Sequence, residues 1–474
     1  MSERSGILKW LSPERMGPIG LIVIAWAFLL SRLWLLDLPL FWDELGVYGQ
    51  SVFHLADNQI CPAPSCLPPV LSRGHPMLYV FLNALWAEVG GLSIPSLRFF
   101  NLLVSLGLLG LVYRITSRHW NPQAGLMAAS ILAIQPLFAI QSVMILPEMM
   151  LAFFVTGMIG AWFRRSWLWY VVLGLGAVWT KETGIVVPLA LISARVLQSL
   201  FRRESDGLPA DLAILSTPLL GFMAFLALQK AQLGWFLFPY HESLIDLTPS
   251  VVLFKLQEFV EFLLLQQGRW TWMLVLLLIT AIRVLQGKGD WLSDLTHNPR
   301  TLTLVVVVAS LLVFSSLNAY MNRYLLLGFP LCSILVAAGL QQIGLRPRVA
   351  LWGLLCAIPL LHSSSEFNYD EDESLVNQVS IMEQAVDWIE QREGLVSVKT
   401  NFPGYYALQD SRYGYLSGSE PIEQTPHFHQ ASYIVRFMPG AELPGFPWDK
   451  VEEVKSFSQG GCHASIFVYI GGEE

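Results

Sequence analysis

Runs such as "IGLIVIAWAFLL" (19–30) and "TLTLVVVVASLLVF" (301–314) constrain this chain more than any other feature. A bilayer core about 30 Å thick needs roughly 20 consecutive apolar residues in a helix to cross it. Runs of that kind recur along the whole sequence, which predicts a polytopic membrane protein. Composition agrees: of 474 residues 54% are hydrophobic and only 14% charged, where soluble domains carry about a quarter charged residues. The first run, from about Gly17 to Leu36, continues into Trp- and Leu-rich sequence without a small-residue cleavage site. It is expected to be a spanning anchor and not a cleaved signal.

Eleven apolar runs can be placed, at about 18–36, 98–116, 123–142, 149–163, 167–180, 184–200, 211–231, 270–286, 302–318, 324–342 and 349–363. Lys and Arg concentrate in short cytoplasmic loops. With Arg4, Lys9 and Arg15 inside, the basic loops "YRITSRHW", "FRRS", "FRRESD", "RVLQGKGD" and "LRPR" all fall inside too. The N-terminus is then cytoplasmic and the C-terminal part extracytoplasmic, or periplasmic, with the inner membrane of a bacterial cell as the expected location. "HPMLYVFLNALWAEVGG" (75–91) is read as an interfacial helix with Tyr79 and Trp86 at the boundary, since a further span there would send most basic loops to the wrong side. The first outer loop is therefore 37–97.

Charge divides the chain. From Glu366 onward there are eighteen acidic and six basic residues, a net −12 that leaves about +5 for the remainder. The acidic tail is expected to be water-exposed, and the distribution gives no sign of nucleic-acid binding. Two units are predicted: a membrane domain, 1–363, and an extracytoplasmic domain, 364–474. The second opens on an acidic linker, continues with Val376, Val379, Ile381, Met382, Ala385, Val386 and Ile389 at helical spacing, and ends in strand-like runs "LVSVKTNF", "ASYIVRF" and "HASIFVYIG". A small α/β domain follows. Binding the acceptor is one reading of its role, and stabilisation or docking of a partner is an equal one.

The stretch "LPLFWDELGVYG" (38–49) puts Asp43 and Glu44 directly after the first span. Ionisable groups at a membrane boundary are costly and point to function, although a solvated loop start is the plainer reading. Further ionisable and polar groups fall on the same face: Arg73 and His75, Arg98, Glu148, Lys181 and Glu182, Tyr240 and His241, Arg269 and Arg323. A single Arg at a span end is ordinarily a snorkelling anchor. Gathered at one face with carboxylates, these cations suit a lipid-linked phosphate, which Arg holds bidentately and Lys meets as a point charge. "CPAPSC" leaves Cys61 and Cys66 open to two readings, a small disulfide loop or two thiols.

"FWDE" followed by "HPMLY" resembles the first outer loop of the GT-C glycosyltransferases that use polyprenyl-phosphate sugars. The likeness is greatest to the dolichyl-phosphate-mannose–protein mannosyltransferases of glycosyltransferase family 39 and their bacterial relatives, the lipid A aminoarabinose transferases. It continues in order through "LRFFNLLVSLGLLGLVYRITSRHW", "QPLFAIQSVMILPEMML", "LGLGAVWTKETGIVVPLAL" and "RYLLLGFPL", over most of 18–345. Where the family's second outer loop usually has Arg and then Asp, this chain has Val143 and Glu148, and Met77 follows the HP pair. The resemblance implies a GT-C-like bundle of about eleven transmembrane helices, a polyprenyl-phosphate-sugar donor and inversion at the anomeric carbon. It also implies that Asp43, with Glu44 beside it, is the catalytic base for an acceptor hydroxyl of a protein, lipid or glycan.

Arg323, Lys181, Arg98, Arg269, His241, Tyr240 and His75 are then the candidates for holding the donor phosphate. Hard oxygen ligands on Asp43 and Glu148 suit Mg²⁺ or Mn²⁺, and a metal-free site clamped by Arg and Lys suits the chemistry equally. The rival reading is a lipid or solute transporter or flippase, which would show inverted repeats and midplane charges. The charges here lie mainly at one face.

Overall fold

The computed structural model describes residues 13–202, 206–240, 246–287, 298–318, 321–361, 367–392, 396–418 and 420–471. Six described helical segments are long and apolar enough to cross a bilayer: Gly17–Leu35, Ile94–His119, Glu182–Phe201, Leu208–Leu233, Pro299–Ser316 and Asn322–Leu340. Shorter apolar helices pack among them, including Pro147–Phe163, Trp167–Thr180 and Trp270–Leu285. The run expected as one span over 123–142 is two helices, Pro122–Ala133 and Pro136–Gln141. Pro136 supplies no amide hydrogen, so the helix stops before it and restarts with Pro in its first turn. Helix starts elsewhere follow the same chemistry. Asn121 precedes Pro122 and accepts the amide of Ala124 at 2.9 Å, and Asn298 precedes Pro299 and accepts that of Arg300 at 3.1 Å.

The stretch expected to lie in the interface is the helix Leu78–Gly90, whose 13 residues rise about 20 Å, too little to cross. Tyr79 is buried against its neighbours, with its hydroxyl donating to Asn101 at 3.3 Å and its ring edge-on to Tyr48. Trp86 is half-buried and donates its indole N–H to Ser96.

The span ends separate into two groups. At one end Asn121 meets Gln341, Arg283 meets Gln342, and Arg348 reaches Gln123. That end carries the basic loops. The other end carries 38–48, 142–148, 181–182 and 321–324, and on it sits the C-terminal domain.

In that domain the helix Leu375–Glu390 packs against a five-stranded sheet, with a short helical turn, Gly404–Ala407, beside it. The strands are β1 (Ser397–Thr400), β2 (Glu423–Gln424), β3 (Tyr433–Met438), β4 (Val451–Gln459) and β5 (Cys462–Tyr469), in the order β2-β1-β3-β5-β4. β1 runs parallel to β2 and β3, and the other pairs are antiparallel. The three expected strand runs are β1, β3 and β5. The boundary expected at 363/364 lies outside the described residues.

The domain is fastened to the segment that carries Asp43. Leu40 donates its amide to the Tyr413 carbonyl at 2.9 Å, and the Tyr415 hydroxyl donates to the Leu40 carbonyl at 3.0 Å. Gly414, at φ +94°, lets the chain run against Pro39, where a Cβ would lie 2.9 Å from the proline Cα.

Candidate active site

Residues 38–48 leave the first span, and their bulky apolar side chains bury them: Leu40, Phe41, Leu45 and Tyr48 are all in the core. Trp42 breaks the pattern. Its φ is +48°, a left-handed conformation that costs a bulky residue about 1–3 kcal/mol and concentrates at functional sites. Its ring is gripped edge-on by Tyr369, 5.0 Å away, and Phe402, 4.8 Å away, both from the C-terminal domain. A π-helical turn, Glu44–Tyr48, follows.

The two adjacent carboxylates point in different directions. Glu44 is wholly buried, paired with Arg98 at 2.9 Å, and also accepts the amides of Phe41 at 2.9 Å and Ile145 at 2.5 Å. Arg98 spends its remaining donors on the carbonyls of Leu38, Pro39 and Val143. Every donor and acceptor of the pair is used internally and neither residue lines the cavity described below. This geometry makes Glu44 and Arg98 a structural tie between the 38–44 and 143–145 loops.

Asp43 is one-fifth exposed and is hydrogen-bonded by Arg323. The same guanidinium holds Asp370, and its Nε lies 3.3 Å from Glu148. Glu148 Oε1 also accepts Lys181 at 2.6 Å, and the Lys181 ammonium stands 4.3 Å from the centre of the Tyr324 ring. Arg323 is thus the hub of a network in which three carboxylates meet two cations. Burial pushes the Asp43 carboxyl up, but Arg323 outweighs it, with Lys181 and Arg73 adding, and holds the group below the usual carboxylate value. Asp43 is ionised at neutral pH.

Arg323 occupies the place expected for a metal ion. The cation standing between Asp43 and Glu148 is its guanidinium, and no group of three potential metal-ligating side chains occurs among the described residues. The donor set expected for Mg²⁺ or Mn²⁺ does not fit as it stands.

A cavity of about 1000 Å³ opens beside this network. Asp43, Arg323, Arg73, His75 and Glu182 line it, and His75 pairs with Glu182 at 3.0 Å. Phe222, Leu247, Phe314, Leu317 and Met321 give it an apolar wall, and Tyr240 lines it too. Lys181 stands behind Tyr324, which lines the cavity. Arg269 is elsewhere: it is fully buried between the rings of Phe262 and Phe329 and donates to the Phe262 carbonyl and Gln267, so the structure gives it no place at the phosphate. His241 lies outside the described residues. Cys61 and Cys66 are joined as a disulfide with Cα atoms 6.1 Å apart.

Sequence reasoning missed Asp370. It sits in "NYDEDES", an acidic run that reads as solvated linker, and nothing local marks one of its carboxylates as buried on Arg323. The wall made by Phe402, Tyr405 and Tyr406 was equally hidden, because these residues belong to the other domain.

Residues 74–226 match the family profile of the dolichyl-phosphate-mannose-protein mannosyltransferases. No curated protein matches the chain. Among solved structures, ArnT from Cupriavidus metallidurans in the apo state aligns with a TM-score of 0.59 at 13% identity, over 95% of this chain and 98% of that one. The same protein bound to undecaprenyl phosphate aligns with a TM-score of 0.58 at 12% identity, over 94% and 97%. At such identity the likeness is one of fold, and the fold is that of this ArnT. Fold and family profile together support a GT-C-fold membrane glycosyltransferase, in agreement with the resemblance carried by "FWDE" and "HPMLY".

Proposed function

We propose that this protein moves a sugar from a polyprenyl phosphate to an acceptor hydroxyl at the extracytoplasmic face of the inner membrane, with Asp43 as general base. The observation that carries this reading is the placement of Asp43 on Arg323, in a cavity with an apolar wall on the membrane side. The polyprenyl phosphate bound to ArnT is the chemistry such a wall and guanidinium would accept.

The acceptor hydroxyl is a poor nucleophile at neutral pH and needs a positioned base. Its oxygen attacks the anomeric carbon as the bond to the phosphate oxygen breaks, and its proton passes to Asp43. The polyprenyl phosphate leaves as an anion and needs no general acid. Negative charge grows on it as the sugar becomes oxocarbenium-like, so preorganised cations lower the barrier. Arg323 and Arg73 line the cavity and supply them, with Lys181 behind. Arg323 begins the reaction occupied by carboxylates. An arriving phosphate competes for the guanidinium, and as its hold on Asp43 weakens the carboxylate becomes a stronger base. Attack opposite the phosphate inverts the anomeric configuration.

The test uses purified protein in lipid with a panel of radiolabelled polyprenyl-phosphate sugars and a cell-envelope extract. Wild type transfers label from one donor. Asp43→Asn loses transfer by at least about 100-fold, the lower range for a positioned base, while still binding undecaprenyl phosphate. An Asn variant as active as wild type removes the base assignment. A wild type that transfers nothing and instead moves lipid or solute across the bilayer removes the transferase reading.

A further inference from the structure

Two unlike sets of residues line the cavity. One has the cations and apolar residues of the membrane domain. The other is a face that no span supplies: Phe402, Tyr405, Tyr406 and Glu442 of the C-terminal domain, with Trp42 packed against Phe402. We propose that this face is the acceptor subsite, and that the acceptor group it takes is a saccharide and not an extended polypeptide. This inference rests on the transferase reading above.

Position is the first argument. The Trp42 and Phe402 rings meet at 4.8 Å, and a Cβ added to Gly46 would lie 3.3 Å from the Phe402 ring and 3.8 Å from that of Tyr406. These rings therefore pack on the very turn that carries Asp43. A ligand resting on them lies against the turn that carries the base.

Chemistry is the second. The Tyr405 and Tyr406 rings stand at 76° to each other with centroids 5.2 Å apart, and Tyr405 is 47% exposed. They offer electron-rich faces with hydroxyl tips, at a low cost in conformational freedom. A pyranose presents the complement, a face of polarised C–H bonds and a rim of hydroxyls. The faces receive the C–H side, and the tyrosine hydroxyls and the Glu442 carboxylate accept from the rim.

The backbone supplies the third argument. Extended peptides are captured mainly by main-chain hydrogen bonds along a free sheet edge. The cavity wall leaves the end of β1, which lies between β2 and β3, and the edge strands β2 and β4 do not line the cavity. The amide and carbonyl groups that an extended peptide would need are engaged at Asn401 and Tyr405. Asn401 donates to the carbonyls of Phe437 and Ala441 at 2.8 and 2.7 Å and accepts the Phe437 amide at 2.8 Å, and the Tyr405 carbonyl accepts Gln424 at 2.8 Å.

The test is saturation-transfer NMR on the full-length protein in lipid nanodiscs. The probes are methyl glucoside, methyl mannoside, chitobiose and a Ser/Thr-containing octapeptide, with undecaprenyl phosphate binding measured in parallel. At least one saccharide is expected to receive saturation through its C–H protons. The signal falls about three- to tenfold in Tyr405→Ala, the range for one lost aromatic contact, and is retained in Tyr405→Phe, while undecaprenyl phosphate binds all three proteins equally. No saccharide signal in wild type, a signal unchanged in Tyr405→Ala, or a peptide signal that Tyr405→Ala removes would each overturn the proposal. Wild type failing to bind undecaprenyl phosphate would instead overturn the transferase reading on which it rests.

Discussion

Two neighbouring acids show how strongly environment assigns a residue's role. Glu44 is wholly buried, with a guanidinium and two backbone amides on its oxygens, while Asp43 faces a cavity. Glu44→Gln leaves Arg98 without its carboxylate, and breaking a buried pair from one side costs about 3–5 kcal/mol. The expected result is a large drop in melting temperature with undecaprenyl phosphate affinity unchanged in the protein that remains folded. A normal melt with lost affinity would return Glu44 to the active site. Glu371 makes a second residue-scale prediction. Burial raises its carboxyl to about 7 from an ordinary 4.5, with Asp370 and Asp372 adding and a hydrogen bond from Asn322 opposing. As pH rises past 4.5 the unfolded chain gives up this proton first, and the folded chain keeps it until about 7. This group's contribution to stability is therefore lost across that window. Denaturation at pH 5 and pH 7.5 should show a smaller decline for Glu371→Gln than for wild type, and equal declines would refute the shift.

At the scale of elements, the segment 38–48 depends on a domain more than 300 residues away in sequence. Tyr369 and Phe402 grip Trp42 in a strained conformation, and Asp370 shares Arg323 with Asp43. Phe402→Ala removes one aromatic contact worth about 0.5–1.5 kcal/mol beyond its buried area. The turn rate is expected to fall about tenfold, because misplacing a base slows chemistry more than binding, while the Kd for undecaprenyl phosphate stays the same and Phe402→Tyr recovers the rate. Equal loss of rate and of donor binding would mean general loosening of the site. Element legibility in the sequence followed burial. β1, β3 and β5 have buried cores and announced themselves as apolar runs. β4 is an edge strand whose residues are all exposed or half-buried, so "VEEVKSFSQ" carries no inward face to read, and β2 has only two residues.

For the whole molecule, the expected sidedness has a structural counterpart. The basic loops meet at one end of the bundle, and Asp43, Arg323 and the C-terminal domain meet at the other. If the positive charges set the orientation, a cysteine replacing Glu452 in the C-terminal domain reacts with a membrane-impermeant maleimide from the periplasmic side, and one replacing Arg164 reacts only after permeabilisation. The reverse pattern would put the site on the cytoplasmic face. The cavity takes its lining from both parts of the chain, with apolar residues such as Phe222 and Phe314 from the membrane helices and Phe402, Tyr405 and Tyr406 from the C-terminal domain.

The sequence by itself determined the membrane class, the apolar spans, the one-sided charges and the resemblance to GT-C glycosyltransferases, since hydrophobic length and loop charge are local properties that a bilayer reads directly. Asp43, Arg323 and His75 could be named for the same reason, as polar groups where apolar sequence makes them expensive. Only the tertiary structure decided that Glu44 belongs to Arg98, that Arg269 is locked between phenylalanines, that Asp370 completes the Arg323 hub, and that Tyr405 and Tyr406 line the same cavity as Asp43. Those assignments depend on which oxygen or ring reaches which partner across a fold, and direction of that kind leaves no mark in composition or spacing.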